Sequence, residues 1–240
     1  VHLGDINALE EKQTLRKRLG YLPQEVGVYD NVSAETLLDH FATLKGITDR
    51  SERRRVVDAL LNRVNLDGAR DQNLGGYSGG MKRRFGIAVA LIGDPDLIIV
   101  DEPTAGLDPA ERVRFLNLLS EIGEDSVVLL STHLVADVRE LCTPMATLRE
   151  GEIIFEGAPE AAIADLEGQI WRKTVTKETL PEHEETCNVV STKLVAGRPV
   201  IRVHASARPG PDFEAADPDL EDVYFTQMRT GAREDAPVVA

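Results

Sequence analysis

Short apolar runs in the first part of the chain predict buried strands. Leu19–Leu22 is such a run, and Pro23 directly after it stops further strand pairing. Leu97–Asp101 is almost wholly apolar, is bounded by turn residues and ends in an acid, which is typical of a central strand in a parallel sheet. Val127–Ser131 predicts another apolar strand. Ligands bind at the carboxyl ends of such strands, so we expect a site at that edge.

Before and between these runs, apolar residues recur at helical spacing. The segments Ser33–Leu44 and Arg54–Val64 predict two amphipathic helices, the first behind a serine cap. Met81–Ile92 predicts a mostly buried helix after a glycine-rich stretch, and Pro109–Ile122 predicts a helix with proline in its first turn. The order strand, helix, strand over residues 97–131 therefore indicates a right-handed βαβ crossover.

The pattern changes after a hairpin predicted for Thr147–Phe155. We place the end of a first domain, residues 1–160, just beyond it. Strands that alternate with Pro- and Gly-rich turns follow at residues 170–176, 188–194 and 199–205, and they predict a small α+β appendage over residues 161–229. Residues 230–240 mix charge, proline and glycine, and we predict a disordered tail there.

Composition narrows the classes of function. With 42% apolar and 28% charged residues, the composition is that of a soluble globular protein, and no apolar stretch approaches the roughly 20 residues that span a bilayer. The net charge of -14 repels nucleic-acid phosphate, which disfavours a nucleic-acid partner. The start does not resemble a secretory signal, and Cys142 and Cys187 have no metal-binding spacing, which fits a cytosolic setting. The basic runs at residues 53–55 and 82–84 are interpreted as solvated helix faces.

Adjacent carboxylates at Asp101 and Glu102 are the first candidate for chemistry. One acid at the end of a strand can hold a magnesium ion while its neighbour polarises an attacking water. Without further context, such a pair is about as often a solvated loop or a helix cap.

A glycine pair at Gly79-Gly80 is the second candidate. Glycines at a helix start let backbone N–H groups approach a phosphate closely, although such a pair alone is more often a plain turn. Residues 75–80 have the glycine spacing of GxxxxGK[ST], but Met81 stands where lysine is needed, so this stretch is not a phosphate loop.

The order of five motifs along the chain favours a functional interpretation of these residues over a structural one. The motifs are Leu22-Pro23-Gln24-Glu25, Tyr77-Ser78-Gly79-Gly80-Met81, Leu97-Ile98-Ile99-Val100-Asp101-Glu102-Pro103-Thr104, Ala105-Gly106-Leu107-Asp108 and Ser131-Thr132-His133. Over roughly residues 1–160 they resemble the ordered motifs of ABC transporter ATPases. The resemblance implies an α/β fold of the ABC-type P-loop NTPase class, incomplete, with a parallel central sheet and a helical subdomain before the appendage.

The resemblance also implies a role for each matched residue. Gln24 becomes the Q-loop glutamine, which contacts metal and water, and Asp101 becomes the magnesium ligand. Glu102 becomes the catalytic base and His133 the switch histidine. The nucleotide-binding residues implied are Ser78, Gly79, Gly80 and Met81 of the signature and Asp108 of the D-loop. Outside this register, His133 is more often a surface residue, and Asp108 is as often a helix cap.

Cofactors and partners are implied in the same way: ATP and Mg²⁺, a second copy of the ATPase subunit in a head-to-tail dimer, and a membrane permease contacted through residues 25–46. Location is then cytoplasmic, on the inner face of the cell membrane. Tyr77 and Met81 replace the usual leucine and glutamine of the signature, and with residues 220–225 they resemble subunits of exporters that have a separate permease. The appendage could be regulatory, dimer-supporting or neither.

The GxxxxGK[ST] loop that the family carries before its Q-loop glutamine does not occur in the sequence. We interpret the sequence as a truncated chain or gene fragment that is inactive alone, and we expect it to leave apolar sheet surface uncovered. The alternative is a non-hydrolysing remnant that serves as a regulatory or interaction module. A nucleic-acid-linked ABC ATPase ranks third because the chain is acidic.

Overall fold

A computed structural model describes residues 1–27 and 29–234, with residues 230–234 described by their backbone alone. Contacts divide the chain into two compact units, Val1–His133 and a second that begins at Leu134. The elements of the first unit are β1 (His2–Leu3), β2 (Ile6–Asn7), α1 (Lys12–Arg18), β3 (Leu19–Leu22), α2 (Ala34–Leu44), α3 (Arg50–Arg63), α4 (Gly79–Ala90), β4 (Leu97–Asp101), α5 (Pro109–Gly123) and β5 (Val127–Ser131).

Three parallel strands in the order β3–β4–β5 form the main sheet of the first unit. Leu22 pairs with Val100, and Asp101 pairs with Ser131, so the three carboxyl ends meet at one edge. All three strands have the bounds that the apolar runs predicted, and α5 connects β4 to β5 as the crossover requires. This edge is where loops that carry polar side chains come together.

The two faces of this sheet differ in burial. Leu22, Ile98 and Val100 are fully buried on one face, and α4 reaches β3 closely because Gly86 stands opposite the Leu22 side chain. On the other face, Tyr21 is 52%, Val127 is 65% and Leu129 is 56% exposed. The expectation of uncovered apolar sheet surface is therefore confirmed.

Capping residues set the starts of the helices around the sheet. Asp49 accepts a hydrogen bond from the Glu52 backbone N–H, so α3 begins at Arg50 rather than at the predicted Arg54. Ser78 caps α4 in the same way, which moves its start from Met81 to Gly79. Both shifts arise because a side-chain acceptor at the cap satisfies a free backbone N–H, so that polar residues in α3 and glycines in α4 join the first turn.

The second unit is built from antiparallel strands and short helices. Its elements are α6 (Val135–Leu141), β6 (Met145–Arg149), β7 (Glu152–Gly157), α7 (Pro159–Ala164), β8 (Ile170–Thr174), α8 (Leu180–Thr186), β9 (Val189–Val195), β10 (Arg198–His204), β11 (Glu214–Ala215) and α9 (Leu220–Glu234). A four-stranded sheet has the order β11–β8–β10–β9, and β6 pairs with β7 as the predicted hairpin. Buried Ile201 and Val203 lie in one apolar cluster, while Ile170 and Val223 lie in another.

The division between the units lies after His133, whereas the sequence placed it near residue 160. Val135, Val138, Met145 and Phe155 pack against the core that contains Leu220, so α6 and the hairpin belong with the later elements. The tail also differs, because α9 continues to Glu234. Residues 235–240 of the predicted disordered tail lie outside the described residues. Within residues 1–27 and 29–234, no helix is both long and apolar enough to cross a bilayer.

Candidate functional site

The carboxyl edge of the parallel sheet gathers the residues predicted to act on phosphate. Gln24 follows β3 after a single proline, Asp101 ends β4 with Glu102 next to it, and His133 follows β5. Because the strands are parallel and in register, their last residues occupy neighbouring positions on this edge. The fold thus brings together residues that are more than a hundred positions apart.

Side-chain contacts join the residues that follow β4 and β5. His133 Nδ1 lies 2.7 Å from Glu102 Oε2, and the His133 backbone N–H donates to Glu102 Oε1 at 3.0 Å. The Ser131 hydroxyl donates to Asp101 Oδ1. The Glu102 side chain is 19% exposed and that of His133 is 70% exposed, so the acid sits deeper while the imidazole reaches solvent. We call Asp101, Glu102, Ser131 and His133 the acid set.

The backbone at Glu102 adopts an uncommon conformation. Its φ of 45° lies in the left-handed region, which costs energy for a residue with a side chain. A hydrogen bond from the Glu102 backbone N–H to the Ser131 carbonyl, at 2.9 Å, holds this conformation. Strain of this kind concentrates at functional sites, so it favours a chemical role for Glu102 over a solvated loop.

The start of α4 has the geometry expected of a phosphate contact. Ser78 Oγ accepts from the Met81 backbone N–H at 3.2 Å and caps the helix. A Cβ added at Gly79 would meet no atom within 4 Å, whereas one at Gly80 would lie 2.5 Å from Glu111 Oε2. Gly79 therefore faces open space that a ligand could enter, whereas a side chain at Gly80 would displace the Glu111 carboxylate on α5.

Asp108 performs the capping role that its position allowed. Its carboxylate accepts from the Glu111 backbone N–H at 2.9 Å at the start of α5. Glu111 in turn lies 3.5 Å from Arg84 Nε and 2.7 Å from Arg114 Nη1, which links the start of α5 to α4. We call Ser78, Gly79, Gly80, Met81 and Asp108 the helix-start set. Within the helix-start set, Ser78 bonds Met81, and Asp108 is linked to α4 through Glu111.

Arg83 is a residue of this region that the sequence reasoning missed. The run at residues 82–84 was interpreted as a solvated helix face, but Arg83 is only 9% exposed, so that interpretation is wrong for this residue. Its guanidinium donates to the Pro23 carbonyl at 3.4 Å and to the Ala105 carbonyl at 3.5 Å. Burial lowers the pKa of Arg83, and the negative charges of Asp101 and Glu102 act in the opposite direction. Nothing in a basic tripeptide distinguishes the member that faces the core.

Comparison with known proteins identifies the family. Residues 2–105 match the ABC transporter family model. A solved chain described as the ATP binding subunit of an ABC transporter aligns with a TM-score of 0.58 at 26% sequence identity, over 68% of each chain. The chain belongs to the ABC transporter ATP-binding family. Its fold is accordingly that of a P-loop NTPase of ABC type, as the motif order predicted.

Curated relatives in the ABC family cover different parts of the chain. YxlF of Bacillus subtilis, named as an uncharacterized ABC transporter ATP-binding protein, is 36% identical over 64% of this chain and 52% of its own length. The ABC transporter ATP-binding protein NatA of the same species is 32% identical over 67% of this chain and 66% of its own. YbhF of Escherichia coli, named as a probable multidrug ABC transporter ATP-binding protein, is 25% identical over 92% of this chain and 41% of its own length. The chain spans about half the length of the first of these relatives.

Asp101 of the acid set and Gln24 offer oxygen atoms of the kind that would hold the magnesium ion implied by the family resemblance. Asp101 offers carboxylate oxygen at the strand end, and Gln24 offers an amide oxygen after the neighbouring strand, both of the hard type that Mg²⁺ prefers. No cluster of three or more His, Cys, Asp or Glu side chains with metal-binding geometry occurs among the described residues. Magnesium at phosphate sites commonly has one or two carboxylates, with phosphate and water as its other ligands, so the donor set fits.

Proposed function

We propose that this chain is an ATP-binding and ATP-hydrolysing subunit that energises an ABC exporter. The observation that carries the proposal is the joined acid set, in which Glu102, in a left-handed backbone conformation, contacts His133 from the next strand. A solvated loop would not need a strained acid with two contacts to one histidine. Membership of the ABC ATP-binding family supports nucleotide as the ligand.

Asp101, Glu102 and His133 of the acid set, together with Gln24, each have a distinct task in this proposal. Asp101 and Gln24 hold Mg²⁺, which supplies positive charge for the phosphates of ATP. Glu102 accepts hydrogen bonds from the attacking water and orients it toward the terminal phosphate. His133, which is held beside Glu102 by the hydrogen bond from its backbone N–H, presents an imidazole N–H to the developing phosphate charge.

Two copies are needed because the phosphate contacts are divided. Backbone N–H groups at the start of α4 favour a negative charge, and Gly79 leaves the space above them open. In the proposed head-to-tail dimer, the helix-start set of one copy closes on the nucleotide held at the acid set of the other. Asp108 then lies at the interface between the two copies.

Export, rather than import, is supported by the signature Tyr77-Ser78-Gly79-Gly80-Met81 and by residues 220–225, which resemble exporter subunits with a separate permease. The Escherichia coli relative YbhF, named as a probable multidrug ABC transporter ATP-binding protein, agrees with this direction. We therefore propose a permease partner contacted through residues 25–46 and a location at the inner face of the cell membrane.

A fused protein tests this proposal, with a GxxxxGK[ST] segment placed ahead of Val1. It should hydrolyse ATP only with Mg²⁺, and Glu102→Gln should lower turnover by about 10²–10⁴-fold while a nucleotide-bound dimer accumulates in size-exclusion chromatography. Glu124→Gln, which removes an exposed acid at the end of α5, is the matched control and should keep full turnover.

The outcomes separate the proposal from its alternative. Full turnover by Glu102→Gln would exclude Glu102 as the base. A fused protein that binds ATP and dimerises but never hydrolyses it would favour the non-hydrolysing remnant that acts as a regulatory or interaction module.

A further inference from the structure

Arg83 occupies a place in the first unit that packing alone does not explain. It is a buried charged side chain on α4, a helix whose other buried residues, such as Phe85 and Ile87, are apolar. A leucine or methionine would fill this volume without desolvating a charge. Burying an arginine costs free energy unless its N–H groups donate hydrogen bonds, so the contacts of Arg83 indicate why the charge is tolerated there.

Those contacts lie in the loops that follow two neighbouring strands, β3 and β4. Nη1 donates to the carbonyl of Pro23, the residue before Gln24, at 3.4 Å. Nη2 donates to the carbonyl of Ala105, at 3.5 Å, in the short segment between Glu102 and Asp108. One guanidinium therefore spans the loop after β3 and the loop after β4.

Two backbone hydrogen bonds also hold the segment that contains Ala105. The Ala105 N–H donates to the Glu102 carbonyl at 3.4 Å, and the Leu107 N–H donates to the Thr104 carbonyl at 3.2 Å. Because Glu102 itself has a strained backbone, a cation beneath this segment helps to keep the acid in place.

We propose that Arg83 is a positioning residue, which couples the helix that carries the signature to the loops that carry Gln24 and Glu102. The proposal rests on the proposed function, since it assigns Arg83 an effect on the same phosphate site. A change at the start of α4 upon contact with the second copy reaches the acid set through this side chain. Arginine is suited to the task because its planar fork donates from two nitrogens in fixed directions, which a single ammonium group does not do.

Hydrogen exchange of the 240-residue chain tests the coupling without any catalysis. Arg83→Gln should increase the exchange rates of the Ala105 and Leu107 amides about tenfold relative to the parent, because a segment released from a buried contact opens more often. Lys82→Gln, which removes the same charge one position away on α4, is the matched control and should leave both rates unchanged. Equal rates in Arg83→Gln and Lys82→Gln would overturn the proposal.

Kinetics of the fused protein provide the readout that a merely structural residue would not move. Arg83→Gln should lower kcat by about ten- to hundredfold, since misplacing a catalytic group by about 1 Å has effects of that size, with KM for ATP within about twofold of the parent. Arg83→Lys keeps the charge but not the fork and should remain impaired.

Full restoration of kcat by Arg83→Lys, or parallel changes of KM and kcat, would overturn the positioning role. If the fused parent shows no ATP hydrolysis, the proposed function fails, while the exchange rates still decide whether Arg83 couples the loops.

Discussion

Two pairs of acids, one in each unit, show how context decides what a carboxylate does. Asp219 and Asp222 in the second unit exchange hydrogen bonds at the start of α9, each accepting from the other's backbone N–H at 2.9 Å. Asp222 is 1% exposed and pairs with Arg202. Asp101 and Glu102 instead sit at the open edge of a parallel sheet, with contacts to a hydroxyl and a histidine.

The difference lies in which donors occupy the oxygens. Arg202 donates through Nε to Asp222 Oδ1 at 2.7 Å and also binds the Asp217 carbonyl. Both carboxylate oxygens of Asp222 therefore accept hydrogen bonds from donors within the protein. This pairing raises the pKa of Arg202, with the hydrogen bond to Asp222 as the largest cause. An acid whose partners are permanent stabilises a fold, whereas an acid at an open strand edge can serve a ligand.

Asp222→Ala should have the largest effect on stability. The change leaves Arg202, which is only 20% exposed, without its carboxylate partner and removes the acceptor of the Asp219 backbone N–H at the start of α9, which together should cost about 3 kcal/mol. Peptide-resolved hydrogen exchange in denaturant would measure this loss in the second unit. The control is Glu221→Ala, which breaks an exposed pair with Lys193 and should cost less than about 1 kcal/mol. Similar losses from the two variants would contradict the contrast between the acid pairs.

Gly80→Ala should have an intermediate effect, in the first unit. Its Cβ would stand 2.5 Å from Glu111 Oε2, so the flexible Glu111 side chain must shift and its contact with Arg84 is weakened, at a cost of about 1 kcal/mol. Thermal unfolding would measure this loss.

Gly79→Ala sharpens the contrast between structure and ligand binding at adjacent positions. No atom lies within 4 Å of the added Cβ, so unfolding should change by less than about 0.5 kcal/mol. ATP turnover by the fused protein should nevertheless fall, because the methyl group would occupy the space through which a phosphate approaches the helix start. A Gly79→Ala variant with full turnover would argue against a phosphate contact there.

The smallest effect is expected from the exposed cap Asp49, which tests the pH dependence. Its pKa is lowered chiefly by the hydrogen bond from the Glu52 backbone N–H, so the folded state favours the charged form. The stabilisation is therefore present above the ordinary aspartate pKa of about 3.9 and is lost as pH falls through the lower folded value. Asp49→Ala should lower the melting temperature slightly at pH 7, and the gap should close in acid.

The strands of the parallel sheet could be predicted to the residue, and the reason is physical. Apolar runs such as Leu97–Asp101 are buried on at least one face and stop at polar turns. The change from apolar to polar residues along the chain therefore marks where each strand begins and ends. The first residues of the helices were harder to predict from the sequence than the bounds of these strands. Arg50 joins α3 because Asp49 caps it, and a capping bond outweighs the polar character of the first turn.

The residues of the candidate site could be predicted from the sequence only in part, for a different reason. Motif order pointed to Asp101, Glu102 and His133, and the register of β4 and β5 explains why such distant residues meet. Arg83 and Glu111 carry no such signal, since their importance comes from contacts across helices that a linear pattern does not contain. Assignment of α6 to the second unit also depended on tertiary packing, against a core that includes Leu220.

The central claim is that the acid set of one copy and the helix-start set of another hold the same nucleotide. An experimental structure of the fused Glu102→Gln protein with ATP and Mg²⁺ tests it most directly. We expect the terminal phosphate between Asp101 of one copy and the Gly79 backbone of its partner. A terminal phosphate bound at Asp101 with no second copy near it, or dimers that keep Gly79 in solvent, would contradict the account.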